Sequence, residues 1–395
     1  MINKIKNNVD TITILIAIHA LQGVAANFAH PITPAYLSSL DFPSTMFGLV
    51  FAAMSFTNFA FSPFWGVMSR YIKAKKLVLI GAFGYALGQA IFGFSSNPYI
   101  IIFARLISGV FVSALFVGTG LYVVEKSSPE EKGRNITKML TIFSVFGTIG
   151  FFIGGYIGGY SLKIPFIIQI VTLITVGILY YVFLEDNEVE EKMDFKRIIS
   201  SSSPIVKSDK PLTKELVMNF WIVFLISIAS TSLTQTFSYF IDDALKMTSV
   251  ANGMTKGLVG LISLIFNFTI ALRVVRSKDI QKNLIYIFAA VILTMLPMIG
   301  FNQTPYIFMT MGVVAMSIDT MPVSLLQGRT VAYSEDDAQG EMVGYHNTMK
   351  ALGMIIGSLV ASWIYEWNIV SPFLLSILLY IIGMLLLQRT RKYVK

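Results

Sequence analysis

"EDNEVEEKMDFKRIISSSSPIVKSDKPLTKE" fills residues 185–215 and is the longest polar stretch in the chain. It mixes charges of both signs with a serine run and two prolines, as an exposed linker does. On either side the sequence changes character. Across all 395 residues, 55% are hydrophobic and only 13% are charged, about half the charge of an ordinary soluble domain. Apolar runs of about 20 residues recur toward both ends, each able to cross a hydrocarbon core of about 30 Å. The runs are continuous rather than alternating, which excludes a β-barrel.

The reading is an all-α membrane protein with twelve transmembrane helices in two pseudo-symmetric six-helix bundles. The expected spans are 11–38, 44–68, 76–95, 99–124, 138–160 and 164–184 before the linker. After it come 216–241, 251–273, 283–301, 305–328, 342–365 and 369–388. This divides the chain into an N-terminal bundle (1–184), a linker (185–215) and a C-terminal bundle (216–395). The opening "MINKIKNNVD" precedes the first span without a small-residue cleavage site, so that span is read as a retained helix. There are no cysteines, so disulfides and thiol chemistry are excluded.

Lys and Arg set the orientation. Of the 30 in the chain, Lys163, Lys246 and Lys256 are assigned to one side, and Arg105 and Lys350 fall inside spans. All the rest lie on the opposite side, with both termini, which is therefore read as cytoplasmic. This bias accounts for the formal charge of +8. No basic face interleaved with aromatics suggests nucleic-acid binding.

A faint repeat supports duplication. Gly133 precedes Thr141 and Gly150 at the same spacings as Gly340 precedes Thr348 and Gly357. The stretch "FGTIGFFIGGYIGGYS" carries Gly150, Gly154, Gly155 and Gly158 among its glycines. Small residues four apart let a neighbouring helix come close. Tight packing explains such a face, and so does a surface where the two halves meet or rock.

The charges inside the spans ask for a reason, because a central acid or base is costly in lipid. Asp319 lies in "GVVAMSIDTMPVSLL" (312–326), and Lys350 sits at about the same depth in the next span. They are expected partners, with His346 one turn before Lys350. Either they form a structural ion pair, or Asp319 takes up a proton in one state and meets Lys350 or substrate in the other. An ammonium that approaches and withdraws would switch a buried carboxylate between its two forms. Arg105 and His30 share a depth near the opposite face, where a guanidinium can hold an anion and an imidazole can pass a proton. His19 is read as an ordinary hydrogen-bonding residue. Gln22, Asn27, Asn58, Gln235 and Asn267 form a candidate polar passage. Interhelical hydrogen bonding is the plainer use of each.

These residues together resemble the major facilitator superfamily, in its twelve-helix drug–proton antiporter branch. "HPITPAYL" is similar to the first-helix double-proline exit, "FARLISGVFVSAL" to the fourth-helix motif with Arg105 at the arginine position, and "GFFIGGYIGG" to the fifth-helix antiporter motif. "QGEMVGYHNTMKALGMIIG" resembles the entry to the eleventh helix. In "GVMSRYIKAKK", Arg70 stands where the family carries an aspartate, and Gly154-Gly155 replaces its Gly-Pro pair. An acid there would face a helix N-terminus favourably. The swap points to a reversed contact between Arg70 and Glu341, beside the alternative that Arg70 merely follows the positive-inside bias.

What the resemblance implies is proton-coupled secondary active export of small amphipathic molecules, with multidrug efflux as the leading form. No Walker-type GxxxxGK[ST] run is present for ATP coupling. The surplus of buried cations over acids keeps a second reading open: export of an anionic metabolite such as a carboxylate siderophore. A proton-coupled uptake symporter is a third. An enzyme is not expected, nor a cofactor or metal. The expected partners are substrate, protons and the lipid bilayer of a bacterial plasma membrane, with the protein a monomer.

Overall fold

The computed structural model describes residues 11–128, 131–185, 212–275, 279–334 and 339–391, with the isolated positions 189 and 203. Among the described residues it is helical, without strands. Twelve helices are long and apolar enough to span a membrane. They are α1 (Ile12–Ser38), α2 (Ser44–Met68), α3 (Ala74–Phe94), α4 (Pro98–Lys126), α5 (Arg134–Gly158) and α6 (Ile164–Phe183). The second set is α7 (Lys214–Asp243), α8 (Ser249–Ala271), α9 (Ile280–Gly300), α10 (Pro305–Ala332), α11 (Met342–Trp367) and α12 (Ser371–Arg389). Most of 185–215 lies outside the described residues, and α7 begins within that stretch, at Lys214.

Local chemistry sets the helix ends. Asn97 caps α4 by accepting from the backbone N–H of Tyr99 at 2.9 Å and of Ile100 at 3.3 Å, with Pro98 at the first helical position. Thr213 caps α7 through the N–H of Leu216, and Asp279 caps α9 through that of Lys282. In "HPITP" the prolines cannot donate to a helix ladder, and α1 breaks there into a short 3-10 turn at His30–Ile32. α8 ends in a π-turn, Asn267–Ala271.

Met1–Thr33 with Ala53–Pro204 forms one compact unit, and Pro34–Ala52 with Ile205–Lys395 forms another. Within the first, α1 packs on α5 and α6, and α3 on α4 and α6. Adding six to each label gives the second: α7 packs on α11 and α12, and α9 on α10 and α12. The duplication is therefore visible in the packing itself.

Glycines make the matched contacts possible. A Cβ at Gly150 would meet the Val24 backbone of α1, with its Cα at 3.0 Å. One at Gly357 would meet the Ile228 backbone of α7, with its Cα at 2.9 Å. These are the two glycines the sequence repeat equates. Lipid offers no hydrophobic drive between helices, so such close backbone contact is a principal source of cohesion. Outward-facing Phe103 and Leu293, 58% and 65% exposed, would form aggregation-prone patches in water but suit contact with lipid tails.

Candidate functional site

Asp319 lies in the interior of the second unit, on α10, and is 3% exposed. Ser230 of α7 donates its hydroxyl to Oδ2 at 2.5 Å. The Tyr380 hydroxyl of α12 donates to Oδ1. From α8, Lys256 donates its Nζ to the Thr234 carbonyl at 3.1 Å, and its charge and that of Asp319 act on one another. One residue beyond Asp319, the Thr320 hydroxyl accepts from Asn267 Nδ2 at 2.9 Å. Four helices thus converge on one carboxyl.

Beside it lies a cavity of about 180 Å³. α7 contributes Ser227, Ser230, Thr231 and Thr234, and α11 contributes His346, Lys350 and Met354. Phe51, Val223, Ile226, Val323 and Leu326 supply apolar walls. Ser230 belongs to both features: it lines the cavity and holds Asp319. The acid therefore stands one hydroxyl behind the cavity wall. His346 Nδ1 shares a hydrogen bond of 3.0 Å with the Thr330 hydroxyl, which fixes the ring against α10.

Residues 15–353 match the family model described as the Major Facilitator Superfamily. The chain belongs to that superfamily. It is a transporter by family and a multi-pass membrane protein by its helices. Similar members include multidrug resistance protein 2 of Bacillus subtilis (strain 168), 22% identical and covering 90% of this chain and 88% of that protein. Quinolone resistance protein NorA of Staphylococcus aureus (strain MRSA252) is also 22% identical, with 88% of each chain covered. The solved structure of the human organic anion transporter MFSD10 superposes with a TM-score of 0.69 at 18% identity, covering 96% of this chain and 99% of that one. It shares the superfamily fold.

Several sequence expectations meet this site, and two need correction. His346 and Lys350 do line one cavity from one face of α11. Asp319 and Lys350, however, make no ion pair among the described residues. Equal depth on consecutive helices does not make two side chains face each other, and hydroxyls from α7 and α12 occupy both carboxylate oxygens. The second correction concerns Lys256, counted above among the cations of the side opposite the termini. It lies inside α8, close enough to Asp319 to be its opposite charge. Ser230 and Tyr380 were not anticipated either; a hydroxyl in an apolar helix carries no signal of the partner it will meet.

The remaining candidates are dispersed. Gln235 lines a second, much smaller cavity with Ser44, Tyr239 and Tyr365. Asn267 braces α8 to α10, as described. In the first unit Arg105 is 4% exposed, its guanidinium 3.7 Å from the centre of the Phe92 ring. It donates to Gln89 Oε1 and the Thr33 hydroxyl, each at 3.5 Å, and no acid pairs with it among the described residues. His30 packs on Phe151 with ring centres 5.9 Å apart. Gln22 is fully buried and accepts from Tyr180 at 2.8 Å, with His19 closing the triangle. Asn27 donates to the Gly23 carbonyl at 2.9 Å, and Asn58 is half-buried on α2. Gly150 and Gly154 press on α1 of their own unit, while Gly155 and Gly158 are buried. Arg70 follows α2, and the side chain of Glu341 lies outside the described residues.

Proposed function

We propose that this chain is a proton-coupled secondary active exporter of small amphipathic molecules, an antiporter working as a monomer in the bacterial plasma membrane with both termini cytoplasmic. The observation that carries the reading is the Asp319 carboxyl, buried among hydroxyls and separated from a cavity only by Ser230. A carboxyl is costly at such depth and can change charge by taking one proton. Ser230, with one donor and two acceptor positions, links it to whatever occupies the cavity. Proton uptake removes the negative charge that offsets Lys256, so the balance of charges in the second unit changes with each cycle. That is the coupling a proton-driven transporter needs: proton and substrate act on one electrostatic centre. The drug resistance named for the similar bacterial proteins supports export as the direction.

In this reading the halves 1–184 and 216–395 move as separate bundles joined by 185–215. Arg70 and Glu341 act at the cytoplasmic side, and Gly150, Gly154, Gly155 and Gly158 permit helix movement. Arg105 and His30 serve proton passage or substrate contact in the first half.

The test is flux in proteoliposomes under an imposed pH gradient, with a quinolone and a tetracycline as first substrates. Asp319→Asn should lose gradient-driven transport at least tenfold while retaining substrate-for-substrate exchange, which needs no proton. Full gradient-driven flux in that variant would remove the proposal.

A further inference from the structure

We infer that the α7–α11 cavity selects amphipathic anions, with the Lys350 ammonium as the contact for a carboxylate. The inference rests on the transport reading above and names the substrate class of the same site. Among the described residues, the lining holds hydroxyls and apolar side chains, one imidazole and one ammonium, but no carboxylate. Asp319 does not line the cavity: Ser230 and Tyr380 hold its two oxygens. Its opposite charge is Lys256, which is itself bonded to Thr234.

That assignment leaves Lys350 without a protein counter-charge or hydrogen-bond acceptor among the described residues. Lys350 is half-buried, and an ammonium with little water around it is costly unless it is paired. A ligand anion supplies both the missing charge and the acceptor. A ligand cation would bring a second positive charge against the first and meet no acid in the wall. Around Lys350, the Ser227 and Thr231 hydroxyls can donate to a carboxylate's remaining lone pairs, while Phe51, Leu326 and Met354 receive an apolar body. A cavity of about 150 Å³ accommodates benzene, so about 180 Å³ suits a small aromatic acid.

The experiment uses the full chain purified in a neutral detergent and three probes that share one apolar body: naphthoate, naphthamide and naphthylmethylammonium. Calorimetric titration should give at least tenfold tighter binding of naphthoate than of the amide, with the ammonium weakest. Naphthoate, but not the amide, should protect Lys350 from an amine-acylating reagent. Lys350→Met should lower naphthoate affinity to that of the amide and leave amide binding within twofold. Lys350→Arg should keep the carboxylate preference.

Ammonium binding as tight as naphthoate binding, or a carboxylate preference that survives in Lys350→Met, overturns the inference. If the variant does not yield monodisperse protein, the wild-type probe order and the acylation footprint decide it. The two proposals fail separately. Unaltered gradient-driven flux in Asp319→Asn removes proton coupling and leaves the probe order standing. A reversed probe order removes the anion site and leaves coupling standing.

Discussion

Replacing Gly353 by alanine adds one methyl group between α11 and α7, which together form much of the cavity wall. That methyl would lie 2.6 Å from the Phe224 carbonyl oxygen and 2.7 Å from Ser227 Cβ. Ordinary carbon contacts are about 3.5–4.0 Å, so the helices must separate locally by up to about 1 Å. One obstacle is backbone and cannot rotate away. Overpacking of this kind costs about 1–3 kcal/mol, against which alanine returns up to about 1 kcal/mol of helix propensity. The net expectation is a loss of about 1–2 kcal/mol, roughly a 5- to 30-fold fall in the folded-to-unfolded ratio. Gly120→Ala is the matched control, because nothing lies within 4 Å of its added Cβ; it should be neutral or slightly stabilising. Both variants are to be unfolded in mixed micelles of rising SDS fraction and followed by circular dichroism. Naphthoate titration should show weaker binding in Gly353→Ala, since Ser227 lines the cavity across from Lys350. If Gly353→Ala matches Gly120→Ala in stability and wild type in affinity, close α7–α11 contact does not set the cavity, and the account of the site's construction fails.

Two further substitutions probe the carboxyl directly. Ser230→Ala removes the hydroxyl between Asp319 and the cavity, and should slow gradient-driven flux about tenfold while exchange changes much less; equal losses in both assays would show that Ser230 only shapes the cavity. Lys256→Met leaves Asp319 without its nearby opposite charge and should cost about 1–3 kcal/mol in SDS unfolding, the penalty of an uncompensated buried group. The double variant Lys256→Met/Asp319→Asn should recover most of that loss; simple addition of the two penalties would show that the charges do not interact.

The span pattern was legible because the bilayer enforces it. Backbone polar groups in lipid must be satisfied within the segment, so each crossing leaves a continuous apolar run. Ser44–Met68 begins and ends where the hydropathy places it. The fifth helix starts at Arg134 rather than 138, because a helix does not stop where its apolar stretch does. Asp319 and Lys350 stood out because ionisable side chains are rare at such depth. Their partners did not. Ser230 lies 89 residues from Asp319 in sequence and Tyr380 lies 61 away, and the sequence of a helix does not specify which distant helix its faces will meet. Lys256 was missed for a different reason. A lysine near the end of an apolar run reads as one that reaches out to the interface, yet its ammonium turns inward to the Thr234 carbonyl.

The duplicated packing also locates the chemistry. Gly150 meets Val24, and Gly357 meets Ile228, so the α1–α5 and α7–α11 contacts can be laid over each other in one register. In that register Ser230 corresponds to Ala26 and Lys350 to Phe143. Ala26 is buried in an apolar cluster with Phe143 packed against it, and Phe143 stacks edge-on against Phe116 with ring centres 5.1 Å apart. The two halves therefore share the glycine-mediated approach of two helices and differ in what that approach encloses. One half places an aromatic ring beside a methyl group; the other places an ammonium and a hydroxyl beside a cavity. Because the packing is common to both, it does not by itself call for Ser230, Asp319 and Lys350. Their confinement to one half is what the proposed role in transport, rather than in assembly of the bundle, requires.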